Sequence, residues 1–304
     1  MSADGQRAFR DELIRHGLLI SMGVDGLYGR GPEYERAVDG VGTALTQAGA
    51  GDGPEIMRFP PGIGRALLEK SGYLKSFPQL AGTVHSFMGS DREHAALRDI
   101  LASGGDWTTS QRITDVVLTP AACYSVYPVV AARGRLPAGG ALVDVSAYCF
   151  RHEPSIDPAR MQMFRMREYV RIGTPEQAFE FRERWIGRGK TLFGSLGLPF
   201  EVDVANDPFF GRVGKLLAAS QREDSLKFEL LVPLASEQPT AMTSFNYHRD
   251  QFGLTFDLRT ESGEVAHSAC IGIGVDRITL ALFRHHGFVI DGWPQGVRAA
   301  LGFA

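Results

Sequence analysis

A carboxylate stands among hydrophobic residues at position 168. Over 163–172 a strand would put Phe164, Met166, Val170 and Ile172 on one face, because successive strand side chains alternate, and Glu168 falls with them. Arg165, Arg167, Tyr169 and Arg171 take the other face. A lone buried carboxylate is costly unless paired. Glu168 therefore calls for a buried arginine, a bulge that turns it outward, or a metal. Cys123 follows a Thr-Pro turn in an apolar stretch, and Cys270 ends a strand before a Gly-x-Gly turn. Either cysteine alone reads as an inert buried thiol. With Glu168 they form a thiolate–carboxylate–thiolate set that suits zinc and leaves a fourth position open to substrate. Separations of 45 and 102 residues do not decide between these readings.

Two arginines are placed for phosphate. Arg151 ends a strand in Phe150-Arg151-His152-Glu153, and Arg277 opens a helix after Gly272-Ile273-Gly274-Val275-Asp276. Guanidinium forks match phosphate oxygens, and helix N-termini attract anions. The plainer reading of Arg277 is a surface pair with Asp276. Other motifs fail. Gly189-Lys190-Thr191 lacks the earlier glycine of a phosphate-binding loop, where Arg184 stands, and falls inside an expected helix. Gly272-x-Gly274 lacks the third glycine of a dinucleotide fingerprint, and there is no Gly-x-Ser-x-Gly nucleophile elbow.

The elements that must carry these residues alternate unevenly. Residues 7–20 read as an amphipathic helix, 49–54 as a loop, and Pro60-Pro61 as the start of a helix through Leu68 closed by Gly72. Strands are expected at 141–151 and 163–172, joined by a long loop. A helix follows, with Thr174 as cap, Pro175 at its first position, Gln177 completing a capping box and Ala178, Phe181, Trp185 and Leu192 as its apolar stripe. Further strands are expected at 227–234, at 252–260 from the alternation Phe252, Leu254, Phe256, Leu258, and at 266–273, with a last helix at 275–284. Strands crowded together after 141 indicate an α+β fold, an antiparallel sheet flanked by helices, and not a βαβ series.

The chain has 304 residues, 44% of them hydrophobic, which is enough to bury a core and excludes intrinsic disorder. With no long linker, 1–304 reads as one domain. A net charge of −3 argues against a general nucleic-acid binder. The charged first twenty residues carry no signal-peptide core, and no apolar run is long enough for a bilayer. Three widely spaced cysteines fit a reducing cytoplasm and no membrane.

The ordered pair Phe150-Arg151-x-Glu153 and Gly272-x-Gly274-x-Asp276-Arg277 resembles motifs 2 and 3 of class II aminoacyl-tRNA synthetases. Arg160 and Phe164-Arg165-Met166-Arg167-Glu168-Tyr169 look like the returning strand of motif 2. Cys123, Glu168 and Cys270 stand where the zinc ligands stand in the methanogen-type seryl-tRNA synthetases. Arg-Phe-Pro-Pro at 58–61 and Gly-Tyr-Leu-Lys-Ser-Phe-Pro at 72–78 also resemble that lineage. The likeness spans roughly 55–285, without room before it for the large tRNA-binding arm. A core of this kind is similar to the bacterial amino acid:[carrier protein] ligases.

That resemblance implies a class II antiparallel sheet, bent ATP, Zn²⁺, Mg²⁺ and a homodimer. It implies activation of glycine or alanine and transfer to the phosphopantetheine thiol of an acyl carrier protein, with no tRNA. By the same resemblance Arg151 holds the α-phosphate, Glu153 accepts from adenine, and Arg160 and Arg277 hold the outer phosphate. Met161, Ala241, Met242, Thr243 and Ser244 contact the nucleotide. The acidic residue that synthetases place ahead of that last segment is Thr240 here. Residues 151–190 carry nine Arg or Lys against six Asp or Glu, so Arg182, Arg184, Arg188 and Lys190 are candidates to dock an acidic carrier. A second candidate is 207–222, with Phe209, Phe210, Arg212, Lys215 and Arg222. The competing readings are a tRNA-charging enzyme and a non-catalytic amino-acid-binding protein.

Overall fold

The computed structural model describes residues 3–235 and 238–303. Among them a seven-stranded sheet is built from β1 (Glu55–Arg58), β2 (Ala141–Phe150), β3 (Met163–Gly173), β4 (Glu201–Val204), β5 (Lys227–Val232), β6 (Thr240–Arg249) and β7 (His267–Gly274), in the order β1-β2-β3-β7-β6-β5-β4. Every pairing is antiparallel except that of β1 with β2. This is the expected α+β architecture with one parallel edge strand added.

The two faces of the sheet bury different partners, because strand side chains alternate. One face carries Tyr169, Phe245, Ile271 and Ile273 against α1 (Pro32–Gly49), α2 (Pro175–Ser195) and α5 (Val275–His286). Helix α2 starts as its sequence dictates: Thr174 Oγ1 accepts from Gln177 N, and Gln177 returns to Thr174 N. Its Phe181 and Trp185 are buried, and the Trp185 ring lies 4.4 Å from Tyr169. The other face carries Val143, Val145, Val170, Ile172 and Cys270. It is covered by the segment Ala122–Ala131 and by the short α4 (Gln251–Phe256).

Arg167 and Tyr169 lie on the helix face, so the polar side of the 163–172 pattern is also buried. Arg167 Nε donates to Asp144 Oδ1 at 2.9 Å and NH1 to Gly42 O at 2.8 Å, tying β2 and β3 to α1. Removing one partner of a buried ion pair strands the other, at about 3–5 kcal/mol. Asp144→Ala is therefore expected to lose that much stability in urea unfolding; a loss within the scatter of surface substitutions would show the pair to be dispensable.

Three local expectations are corrected. The 252–260 strand is helix α4 over Gln251–Phe256. Phe252 and Phe256 are buried at i and i+4 while Leu254 is exposed, and a short run of that kind also satisfies period two. The strand that carries the chemistry is β6, immediately before it. Pro60-Pro61 do not open a helix: Gly62–Gly64 pairs with Leu118–Val116, and the helix starts only at Arg65. The N-terminal helix spans Ala3–Arg15, and the chain turns at Gly17, where Leu18 N donates to Leu13 O, into the hairpin Leu19–Val24 and Leu27–Arg30. Gly189-Lys190-Thr191 lies inside α2, as a non-phosphate segment should. Among the described residues no helix is long and apolar enough to cross a membrane.

Candidate active site

Register brings the chemical residues of β3, β7, β6 and β5 side by side. Glu168 faces Gly272, which faces Ser244, which faces Glu229. In the next row Val170 faces Cys270, which faces Asn246, which faces Lys227. A Cβ on Gly272 would lie 2.9 Å from Ser244 Oγ, so glycine keeps this floor open. Above it is a cavity of about 210 Å³.

At one end of the floor Cys123, Glu168 and Cys270 meet. Each is buried, and their ligand atoms all lie within 4.8 Å of one another. Among the described residues Glu168 has no arginine partner. Its Oε1 accepts from Cys123 N at 3.0 Å, and its Oε2 accepts from Cys270 Sγ at 2.5 Å. The buried-arginine and outward-bulge readings of Glu168 are thus set aside by geometry. The Cys270 thiol is pushed well above its ordinary pKa, first by its hydrogen bond with Cys123, then by burial and the Glu168 charge. Two thiols and a carboxylate converging in a buried corner fit the donor set that zinc takes. Cys149, the remaining cysteine, is buried but outside this group.

At the other end three arginines gather. Arg151 and Arg277 line the cavity. Arg277 is held by main-chain oxygens: its Nε donates to Ala159 O and its NH1 to Ala241 O, both at 2.9 Å. Its pKa is lowered, first by burial and then by the charges of Arg151 and Arg160. Arg151 Nε donates to Pro120 O at 3.2 Å. Arg160 makes a long 3.4 Å contact with Glu153. Like charges held together this way are arranged for a polyanion. Asp276 does not pair with Arg277. It is buried and bonded to Arg30 Nε at 3.0 Å and Arg165 NH2 at 2.8 Å, which fixes the start of α5 against β3. Met161, Ala241, Met242, Thr243 and Ser244 also line the cavity.

Several lining residues carry no sequence signal of their own. Buried Lys227 bonds Asp207 at 2.6 Å and Glu229 at 2.9 Å. Burial works against the Asp207 charge, but Lys227 and Gln221 outweigh it and lower its pKa. Burial drops His248 to about 4, so it is neutral near pH 7. The Tyr73 hydroxyl is pushed up to about 12 by burial and has no bonding partner among the described residues. The register of β5 against β6 puts Lys227 and Glu229 here, and sequence pattern does not specify that register.

The basic face expected on α2 is divided: Arg184 and Lys190 are exposed, while the other two are engaged. Arg182 is buried, bonded to Glu183 and Ser225 O, and Arg188 pairs with Asp52. The second candidate fares better: α3 (Gly211–Glu223) exposes Lys215, Leu216 at 71% and, just before it, Phe210 at 59%.

The fold and this cavity define a class II aminoacyl-tRNA synthetase-like catalytic core. A structure of an M. kandleri seryl-tRNA synthetase, in complex with A. aeolicus tRNASec, superposes with a TM-score of 0.82 at 22% identity, covering 96% of this chain and 60% of that one. Seryl-tRNA synthetase from Pyrococcus horikoshii, complexed with ATP, gives 0.70 at 17% identity, covering 97% and 62%. At sequence level, amino acid–[acyl-carrier-protein] ligase 1 of Bradyrhizobium diazoefficiens is 52% identical over 289 residues, 94% of this chain and 87% of that protein. Ligase 2 of the same organism is 50% identical over 288 residues, 94% and 86%. The type-2 serine–tRNA ligase of Methanopyrus kandleri is 31% identical over 196 residues, 60% of this chain and 37% of its own length. No family profile matches the sequence. The chain belongs to the amino acid–[acyl-carrier-protein] ligase family, and is an enzyme of that class.

Proposed function

We propose that the protein activates glycine or alanine with ATP and passes it to the phosphopantetheine thiol of an acyl carrier protein. The observation that carries this reading is the shared cavity, lined by Arg151 and Arg277 at one end and by Cys123, Glu168 and Cys270 at the other. The names of the relatives at 52% and 50% identity support the carrier protein as acceptor.

In this reading the amino acid's carboxylate attacks the α-phosphorus of ATP, pyrophosphate leaves, and an aminoacyl adenylate remains. Such steps depend on positioning and charge neutralisation more than on a protein base. Arg151 steadies the α-phosphate, Glu153 accepts from the adenine amino group, and Arg160 and Arg277 hold the outer phosphate. The loop and β6 residues Met161, Ala241, Met242, Thr243 and Ser244 line the nucleotide. Cys123, Glu168 and Cys270 would hold Zn²⁺, which when bound supplies a Lewis-acid position for the substrate's α-amino group. Mg²⁺ would neutralise phosphate charge. The carrier's sulfur then attacks the activated carbonyl, AMP leaves with the bonding pair, and the thiol proton goes to solvent. A homodimer, a cytoplasmic setting and the absence of a tRNA partner belong to the same proposal.

The test is an acceptor assay with radiolabelled glycine or alanine. Label should move to a phosphopantetheinylated carrier, and hydroxylamine should cleave that thioester and release the label as the hydroxamate; label on tRNA instead would replace this reading with tRNA charging. For docking, α3 offers a cation beside apolar side chains, which suits an acidic carrier helix. Lys215→Glu is expected to slow carrier aminoacylation about tenfold while leaving ATP–pyrophosphate exchange unchanged. Equal carrier kinetics in variant and wild type would remove α3 as the docking element.

A further inference from the structure

The loop that carries Glu153 and Arg160 is stitched to the N-terminal segment at three places. Gln6 Nε2 donates to Asp157 Oδ2 at 3.0 Å. Gln162 N donates to Gly26 O at 2.7 Å, and Gln162 Nε2 returns to Asp25 O at 2.8 Å. Arg30 NH2 donates to Met163 O at 2.9 Å while its Nε holds Asp276. Gly26 has φ +79°, and a Cβ there would lie 3.1 Å from both Arg160 O and Gln162 Cγ. The hairpin turn therefore touches the loop backbone at the residue before Met161. From the opposite side Arg277 Nε holds Ala159 O.

Loops that bind ligands are ordinarily mobile, and ordering them is part of the cost of binding. The Arg160 side chain is 55% exposed, and its contact with Glu153 is long. Its neighbours Ala159 and Met161 line the cavity, and the backbone at Arg160 and Gln162 is held by the hairpin. We propose that the Asp25–Gly26 turn and Gln162 are positioning residues of the nucleotide site: they hold the 153–162 loop in the conformation that receives ATP. The proposal rests on the reading of this cavity as an ATP site, and assigns the N-terminal hairpin to it.

The test uses the full chain with Gln162→Ala, Gln162→Glu and Gly26→Val. Gln162→Glu keeps the size of the side chain and loses its donation to Asp25 O. Loss of one hydrogen bond corresponds to about a fivefold change. Both Gln162 variants should raise the KM for ATP in pyrophosphate exchange by about fivefold, with kcat and the KM for glycine unmoved. Gly26→Val, strained and crowded against Arg160 O, should raise it further. Without ATP, trypsin should cut after Arg160 faster in every variant. Unchanged KM for ATP with unchanged cleavage overturns the proposal. So does an equal rise in both KM values together with a lowered Tm, which is what a merely structural role would give. If wild type shows no exchange but the variants are still cut faster at Arg160, the ATP reading falls while the clamp on the loop stands.

Discussion

Cys270→Ala is expected to abolish amino-acid activation, with ATP–pyrophosphate exchange falling on the order of 10³-fold or more. Cys270 is the residue that binds the cluster together: its sulfur lies 2.5 Å from Glu168 Oε2, and its group with Cys123 spans less than 4.8 Å. Removing it leaves two donors from separate elements, Cys123 on the segment over the sheet and Glu168 on β3. Two donors hold zinc far more weakly than three and leave no defined open position. The variant protein should also lose bound zinc, read by atomic emission on the dialysed protein. Cys149→Ala is the control, since it removes an equally buried thiol outside the group. It should keep both zinc and exchange. Undiminished exchange in Cys270→Ala would refute the metal role of this cluster.

The second large effect is at the arginines. Arg151→Ala and Arg277→Ala should each lower kcat/KM for exchange by about 10²–10³-fold, the size seen when one preorganised donor is taken from a developing charge. Arg277 is kept cationic against burial and against two neighbouring guanidinium groups. In the proposed reading, phosphate would relieve that repulsion. Lysine should restore only part of the activity at position 277, because an ammonium cannot hold Ala159 O and Ala241 O while also facing the ligand. Full activity in Arg277→Ala would show that the cluster serves folding alone.

Where the chain reveals its fold in advance, a physical pattern is dense enough to read. The capping box at Thr174 and Gln177 and the strands around Arg151 and Glu168 are legible for that reason. Glu168 stands out because its neighbours two residues away on each side are apolar. Strand β6 was hidden because one of its faces borders a polar cavity: Ser244, Asn246 and His248 replace the hydrophobic half of the alternation. Lys227 and Glu229 are illegible for the same reason, since they reach the cavity by pairing with β6. The basic residues on α2 misled for a different reason. Charge alone does not reveal partners: Asp52 and Ser225 O come from elsewhere in the chain, and Glu183 from the next position on the helix. The contacts of the N-terminal hairpin with the 153–162 loop are equally illegible, since they join residues more than a hundred positions apart.

The account stands most directly on ATP–pyrophosphate exchange measured with each of the twenty amino acids on zinc-loaded protein. It predicts exchange with glycine or alanine and with no others. Exchange with serine would return the chain to the tRNA-charging reading, and silence from all twenty with zinc confirmed bound would contradict adenylation altogether.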